Sequence, residues 1–335
     1  MNRLYLGIDT SNYRTSVAAV DSSGSILFSK AVLLDVDKGE RGLRQSEAFF
    51  RHSNRLPDYI SELFEGIDPS KIAAVGVSER PRRVEGSYMP CFMAGVNAAS
   101  IIGSSLGVPV CGFSHQEGHA AAILESGGNT PPESSLFFHL SGGTTEALLC
   151  RPDAKGYSME IVGGTLDISI GQLLDRYGVA MGMPFPSGQY LDDTAYKTLD
   201  SAGFDTAAVS GSGVMPKLKI KDGYFNLSGA ETRLMKYADS RGGDEKETSR
   251  VTAELFASIA GLLAGEVAYL RDKYDIRDIY MAGGVASSKT VRRLLSADEY
   301  TDIRFGDAGL SGDNAVGTAL LAKRIHETGN SNSGK

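Results

Sequence analysis

At the amino-terminal end, apolar residues fall into short runs separated by small polar turns. Residues 4–8 and 15–20 are apolar and β-prone around Asp9-Thr10-Ser11-Asn12, and a second turn, Asp21-Ser22-Ser23-Gly24, leads into residues 25–29. This pattern predicts a β-meander. The same plan returns about 130 residues later, a spacing that marks an internal repeat. There residues 136–140, the turn Ser141-Gly142-Gly143-Thr144-Thr145, residues 146–150, a polar turn at 151–155 and residues 157–162 follow in the same order. A repeat of this length implies a duplicated domain with a cleft between the copies. Two turns rich in hydroxyls and backbone N–H groups would hold a phosphate chain between them, and two unrelated hairpins are the plainer alternative.

Between and after the meanders the period changes to that of helices. Residues 41–64 read as a helix with a break or kink at Pro57, and Arg41, Arg44, Arg51 and Arg55 fall within about 80° of one face. Such a basic stripe either is solvated or meets a polyanion. A buried strand over 72–77 runs into Glu79-Arg80-Pro81-Arg82-Arg83, where three Arg at a strand's carboxyl end suit anion contact. Residues 89–106 predict a core helix, and 108–113 a strand that gives way at Ser114-His115-Gln116-Glu117-Gly118-His119 to a helix over 120–124. Beyond the second meander, Gly163-Gly164-Thr165-Leu166-Asp167 precedes a helix over 168–181 that carries Asp175, closed by the rigid turn Met183-Pro184-Phe185-Pro186-Ser187-Gly188. Residues 200–215 read as loop-rich, 224–229 as a strand into a tight turn, and 249–274 as the longest helix. A strand over 278–282 then meets Gly283-Gly284 and a helix over 289–295. Residues 303–306 lead to Gly312-Asp313-Asn314, a last helix over 315–325 and a polar tail.

Three places in this outline carry candidate chemistry. His115 and His119 stand four apart, so on a helical turn they lie within about 40° of each other, close enough to share one metal ion. The alternative is a pair of ordinary helix-start histidines. Glu117 sits about 200° from His115, unlike the acid of a His-Glu-x-x-His metalloprotease, which argues against protease chemistry. Asp313, after a glycine turn, reads either as a helix cap or as the carboxylate that completes a two-His, one-carboxylate site suited to Fe(II), Zn²⁺ or similar ions. Asp167 and Asp175, about 80° apart on a helix, either border one cleft or serve as a cap and a surface residue. Gly283-Gly284, between a buried strand and a helix, lets an anionic or flat ligand approach the backbone.

Composition narrows the setting. A chain of 335 residues with 41% hydrophobic residues and 40 Gly fits a turn-rich α/β protein of two domains. The net charge of −7 excludes a generally basic, polyanion-coated surface, so any nucleic-acid contact must come from local patches or a partner. Cys91, Cys111 and Cys150 have no metal or disulfide spacing, which points to a reducing compartment. With no signal peptide and no apolar run approaching the roughly 20 residues of a membrane span, a cytoplasmic location is expected.

As a set, His115-x-Glu117-Gly118-His119, Leu140-Ser141-Gly142-Gly143, Asp167 to Asp175, Pro186 to Gly188, Phe225 to Gly229, Ala282-Gly283-Gly284-Val285 and Asp313-Asn314 resemble, in order and spacing, the TsaD-like family of tRNA adenosine threonylcarbamoyltransferases, once called glycoproteases. The resemblance extends from Leu4 to about Ile325 and implies a duplicated actin-like (ASKHA, RNase H-like) α/β fold, two mixed sheets flanked by helices about a central cleft. Residues 1–112 with 313–326 would form one subdomain, 113–312 the second with insertions, and 327–335 a disordered tail. It implies one divalent metal, iron or zinc, on His115, His119 and Asp313. It also implies that threonylcarbamoyl adenylate, or an adenine nucleotide, is held by Thr10, Ser11, Leu140, Ser141, Gly142, Gly143, Asp167, Asp175, Gly188, Gly283, Gly284 and Ser288. A tRNA acceptor and TsaB- or TsaE-like partners come with it. The chain departs from the family pattern where Tyr13 and Arg14 replace an Asp-Glu pair containing a candidate catalytic acid; nearby Asp9 remains. It departs also at Arg80-Pro81-Arg82 (Gly-Pro-Gly), Thr144 (His), Gly164 (acid), Gln172 (Glu), Ser288 (Asn) and Glu231 (Lys). Three functions therefore stand open: the family reaction, a paralogue that moves a carbamoyl-type group to another acceptor, and a non-catalytic nucleotide-binding scaffold.

Overall fold

The structure is a computed structural model that describes residues 3–11, 14–34, 43–240, 244–296, 302–307, 309–310, 312 and 315–332. The chain divides into two compact units, one of Met1–Glu133, Arg151–Met159 and Gly309–Lys335, the other of Ser134–Cys150 and Glu160–Ala308.

In the first unit β1 (Leu4–Asp9), β2 (Arg14–Asp21) and β3 (Ile26–Leu33) form the expected meander, followed by α1 (Gln45–Gly66), β4 (Ile72–Arg80), α2 (Phe92–Leu106), β5 (Val110–Ser114) and α3 (His115–Leu124). The sheet order is β3-β2-β1-β4-β5, with β1 antiparallel to β2 and parallel to β4. One sheet face packs Leu6, Ile8, Val17 and Val75 against Leu56 and Leu63 of α1 and Ala99 of α2. Helix α1 runs through Pro57 without a break, since this exposed proline removes one N–H bond from the solvent side.

In the second unit β6 (Ser135–Leu140), β7 (Thr145–Asp153) and β8 (Gly156–Thr165) repeat the meander, though the β7–β8 tip, Arg151–Met159, groups with the first unit. Then come α4 (Ile170–Ala180), α5 (Gly188–Ser201), α6 (Thr206–Val209), β9 (Tyr224–Phe225), α7 (Ser228–Asp239), α8 (Glu245–Tyr274), β10 (Ile279–Ala282), α9 (Lys289–Leu295) and β11 (Ile303–Phe305). The sheet order β11-β10-β6-β7-β8-β9 carries the same order as the first sheet with one added edge strand. Its core joins Phe138, Leu149 and Met281 to Leu173 and Tyr177 of α4 and Leu255 and Ile259 of α8. The last helix, α10 (Val316–Asn332), returns to the first unit and extends past Ile325, where the sequence pattern ends it.

Two further expectations change. Residues 224–229 hold only a two-residue strand before α7 begins, because the cap that starts this helix, described below, lies about 60 residues away and leaves no local signal. The estimate that no apolar run approaches membrane length also needs correction. Helix α8 is long and apolar enough by those criteria, and 72% of its most apolar stretch is buried within the protein, as in a core helix.

Candidate functional site

The first unit builds one polar cluster at the carboxyl ends of β1, β4 and β5. Asp9 ends β1 fully buried, with Oδ1 accepting from the Ser11 amide (2.7 Å) and Oδ2 from the Ser78 hydroxyl (3.1 Å). Asp9 Oδ2 also lies 2.7 Å from His115 Nδ1. His115 and His119 occupy the first turns of α3 with their Nε2 atoms 3.0 Å apart. Two nitrogens each about 2.1 Å from one ion are separated by about 3.4 Å at the tetrahedral angle and about 3.0 Å at the 90° of an octahedral site, so the pair meets the shorter spacing of two ligands on one cation. A carboxylate behind His115 favours the Nδ1–H tautomer, in which Nε2 carries the lone pair a metal takes. Among the described residues no group of three His, Cys, Asp or Glu side chains converges as a metal cage; Asp313, the predicted third ligand, and Tyr13 lie outside the described residues.

The sequence sets this helix in place through a capping box. Ser114 Oγ accepts from the Glu117 amide (3.2 Å), and Glu117 Oε2 accepts from the Ser114 amide (2.8 Å) and hydroxyl (2.7 Å). Glu117 Oε1 accepts from the Tyr157 amide (2.9 Å) and lies 3.4 Å from Arg83 Nη1, which also pairs with Asp153 (2.9 Å). Glu117 is thus a positioning residue turned away from the imidazoles. The Ser-x-x-Glu spacing was a readable signal for this role. Behind α3, an added Cβ on Gly317 would sit 1.8 Å from the Gly118 carbonyl oxygen, so α10 packs backbone to backbone against the histidine helix.

Other predicted residues here are spent on the fold. Thr10 Oγ1 donates to the Cys91 carbonyl (3.1 Å) and accepts from the Gly95 amide (3.1 Å), joining the β1–β2 turn to α2. Of the basic stripe, Arg51 pairs with Glu47 (2.6 Å) and Arg55 donates to the Leu33 carbonyl (2.5 Å), while Arg41 lies outside the described residues. Arg80 pairs with its neighbour Glu79.

The second unit holds the glycine turns. Ser141 and Thr144 close the β6–β7 turn through Ser141 N–H to Thr144 O (2.8 Å) and Thr144 N–H to Ser141 Oγ (3.1 Å). Ser169, which caps α4, donates to the Gly142 carbonyl (2.7 Å). An added Cβ on Gly283 would meet the Leu140 carbonyl oxygen at 2.3 Å, so only glycine lets the β10 turn lie against Leu140-Ser141. At Gly142, Gly143, Gly188 and Gly284 an added Cβ would meet nothing within 4 Å, so the side-chain direction is open there, while the Gly142 Cα packs against Gly171 of α4. Asp175 Oδ1 accepts from the Ser187 (2.7 Å) and Gly188 (3.3 Å) amides, bringing two predicted ligand-binding residues together at the start of α5.

Asp167 and Ser288 instead hold helices. Asp167 accepts from the amides of Leu227 (2.9 Å), Ser228 (3.0 Å) and Ile168 (2.7 Å) and so starts α7. Burial works to raise its carboxyl, but these amides outweigh it and bring the group down to about 2. Ser288 accepts from the Val291 amide (3.1 Å) as the α9 cap and donates to Asp192 (2.7 Å), a residue sequence reasoning missed because its partners lie about a hundred positions away. Glu231, where the family pattern has Lys, pairs with Arg176 (2.7 Å).

Known proteins resemble this chain in sequence and in fold. A family profile described as "TsaD: tRNA N6-adenosine threonylcarbamoyltransferase" matches residues 35–320. The tRNA N6-adenosine threonylcarbamoyltransferase of Bacillus subtilis is 28% identical over 88% of this chain and 81% of its own. That of Archaeoglobus fulgidus is 27% identical over 96% and 93%. Among solved structures, component A of the Acidaminococcus fermentans (R)-2-hydroxyglutaryl-CoA dehydratase superposes with a TM-score of 0.54 at 16% identity, over 97% of this chain and 99% of its own, a likeness of fold. Two mixed sheets flanked by helices, in the actin-like ASKHA architecture, are thus the framework of both units, and the chain belongs to the TsaD family as a divergent member.

Proposed function

We propose that this protein transfers a threonylcarbamoyl group from threonylcarbamoyl adenylate to a tRNA adenosine, with one iron or zinc ion held by His115, His119 and Asp313. The observation that carries this reading is the His115–His119 pair, whose Nε2 atoms stand 3.0 Å apart with Asp9 behind one ring. A bound ion would supply Lewis acidity toward the carbamoyl carbonyl. Asp9 orients His115, and Glu117 holds the turn that carries both rings. In the second unit the N–H groups of the Gly142-Gly143 turn would bear phosphate charge, and Asp175 and Gly188 would hold the nucleoside side. The net charge of −7 leaves tRNA contact to local patches or to TsaB- and TsaE-like partners, in the cytoplasm. The sequence supports no serine- or cysteine-protease constellation, and Glu117 faces its own helix cap, so protease chemistry has no support.

A second reading, transfer of a carbamoyl-type group to a non-tRNA acceptor, draws its support from Arg14 in place of a family acid. Metal analysis of the purified chain tests the first element of the proposal: near-stoichiometric iron or zinc is expected, falling at least tenfold in H115A and H119A. Folded wild-type protein that takes up neither metal would end it. A transfer assay with tRNA and with tRNA-free acceptor mixtures separates the two readings.

A further inference from the structure

We propose that Arg14 is an oxyanion-binding residue of the first unit, so that the molecule seated over the His115–His119 pair presents a carboxylate or phosphate to it. Gly7 pairs with Ala18 and Asp9 with Ser16, so Ser16 and, two residues before it, Arg14 project on the same face as Gly7 and Asp9. That face is the one covered by α10, since an added Cβ on Gly7 would meet Ala315 and Thr318. Thr15, on the opposite face, bonds His52 of α1 (2.8 Å). Arg14 therefore shares its face with the Asp9 carboxylate that orients His115.

The guanidinium reaches the segment before α10: an added Cβ on Gly312 would lie 3.0 Å from Arg14 Nη1. It is half-buried, yet among the described residues its side chain makes no hydrogen bond and no ion pair. Its planar fork, which keeps access to solvent, matches carboxylate and phosphate oxygens. A buried group without a partner lies on the same turn. Ser11 accepts the Arg14 amide through its carbonyl (3.2 Å), and its hydroxyl is buried without a hydrogen-bond partner among the described residues. One fork of N–H donors and one O–H donor thus stand three positions apart on a single turn, a donor set that suits an oxyanion.

The inference rests on the functional reading only for the place of the site, since it concerns equilibrium binding and not transfer. Calorimetric titration of the full chain with inorganic phosphate, with N-carbamoyl-L-threonine and with the neutral amide of the latter tests it, in wild type, R14Q and R14K at fixed ionic strength. A charge-assisted bidentate contact predicts that phosphate or the carboxylate binds wild type about ten- to a hundredfold more tightly than R14Q, with R14K between them. The neutral amide should bind wild type and R14Q alike, and whichever anion responds identifies the group received. If both anions bind R14Q as well as wild type, or neither binds wild type, Arg14 has no such role. Melting temperatures of the variants separate loss of the site from loss of the fold. Absence of transfer to tRNA with Arg14-dependent anion binding intact would overturn the transferase alone.

Discussion

Replacing Glu117 by alanine should destabilise the protein by about 2–6 kcal/mol, the loss of an acceptor for two buried amides. The helix that presents both histidines loses the half of its capping box that Glu117 supplies, which is the first of these amides. The Ser114 and Tyr157 amides, which now donate to this carboxylate at 2.8 and 2.9 Å, are left in a buried setting, at about 1–3 kcal/mol each if water does not replace the carboxylate. The side chain is 2% exposed, so little water reaches the gap. Arg83 loses less, because Asp153 still holds it at 2.9 Å. Glutamine at 117 retains one carbonyl oxygen for two amide donors and should cost about 2 kcal/mol. Urea unfolding at neutral pH measures both, and metal titration of the folded variants reads the second consequence: at least tenfold weaker iron or zinc binding in E117A, from a frayed first turn of α3. A loss below about 1 kcal/mol in E117A would refute the reasoning, because it would mean the buried amides find other partners.

Two further changes probe the packing. Burial pushes the Glu266 carboxyl of α8 up to about 8 from 4.5, so the protein's stability is highest below about pH 4.5 with respect to this group and is lost as pH rises through 8. E266Q removes that dependence and should be more stable than wild type by about 3 kcal/mol at pH 7 and about 5 above pH 9, read from denaturant melts across pH; parallel wild-type and variant curves would contradict the assignment. G317A places a methyl 1.8 Å from the Gly118 carbonyl oxygen, so it should cost about 3 kcal/mol and displace α3. Thermal melts and metal titration of G317A check this, and an unchanged melting temperature would show that α10 can shift away freely.

Much of this protein was legible along the chain, for reasons that differ from element to element. The two meanders announce themselves because β1–β3 and β6–β8 alternate apolar runs with small-residue turns, signals contained within a few residues. The histidine pair was legible for the same reason: four positions on one helical turn suffice. Helix α7 was not, since its start depends on Asp167, whose partners Leu227 and Ser228 lie in another part of the chain. The same distance hides the real engagement of Ser288, which is bonded to Asp192. Asp167 and Asp175 looked equivalent by spacing, and only tertiary structure separates them: the first caps α7, the second gathers the Ser187 and Gly188 amides. Arg14 was legible as a departure from the family pattern, but that its half-buried guanidinium makes no ion pair among the described residues required the fold.

The most direct test of the account is to incubate the metal-loaded protein and its partner proteins with threonylcarbamoyl adenylate and unmodified tRNA, digest the tRNA, and weigh the nucleosides. The account predicts threonylcarbamoyladenosine from wild type and at least a hundredfold less from H119A under the same conditions. Unmodified adenosine throughout, from wild-type protein shown to bind its metal, would contradict it.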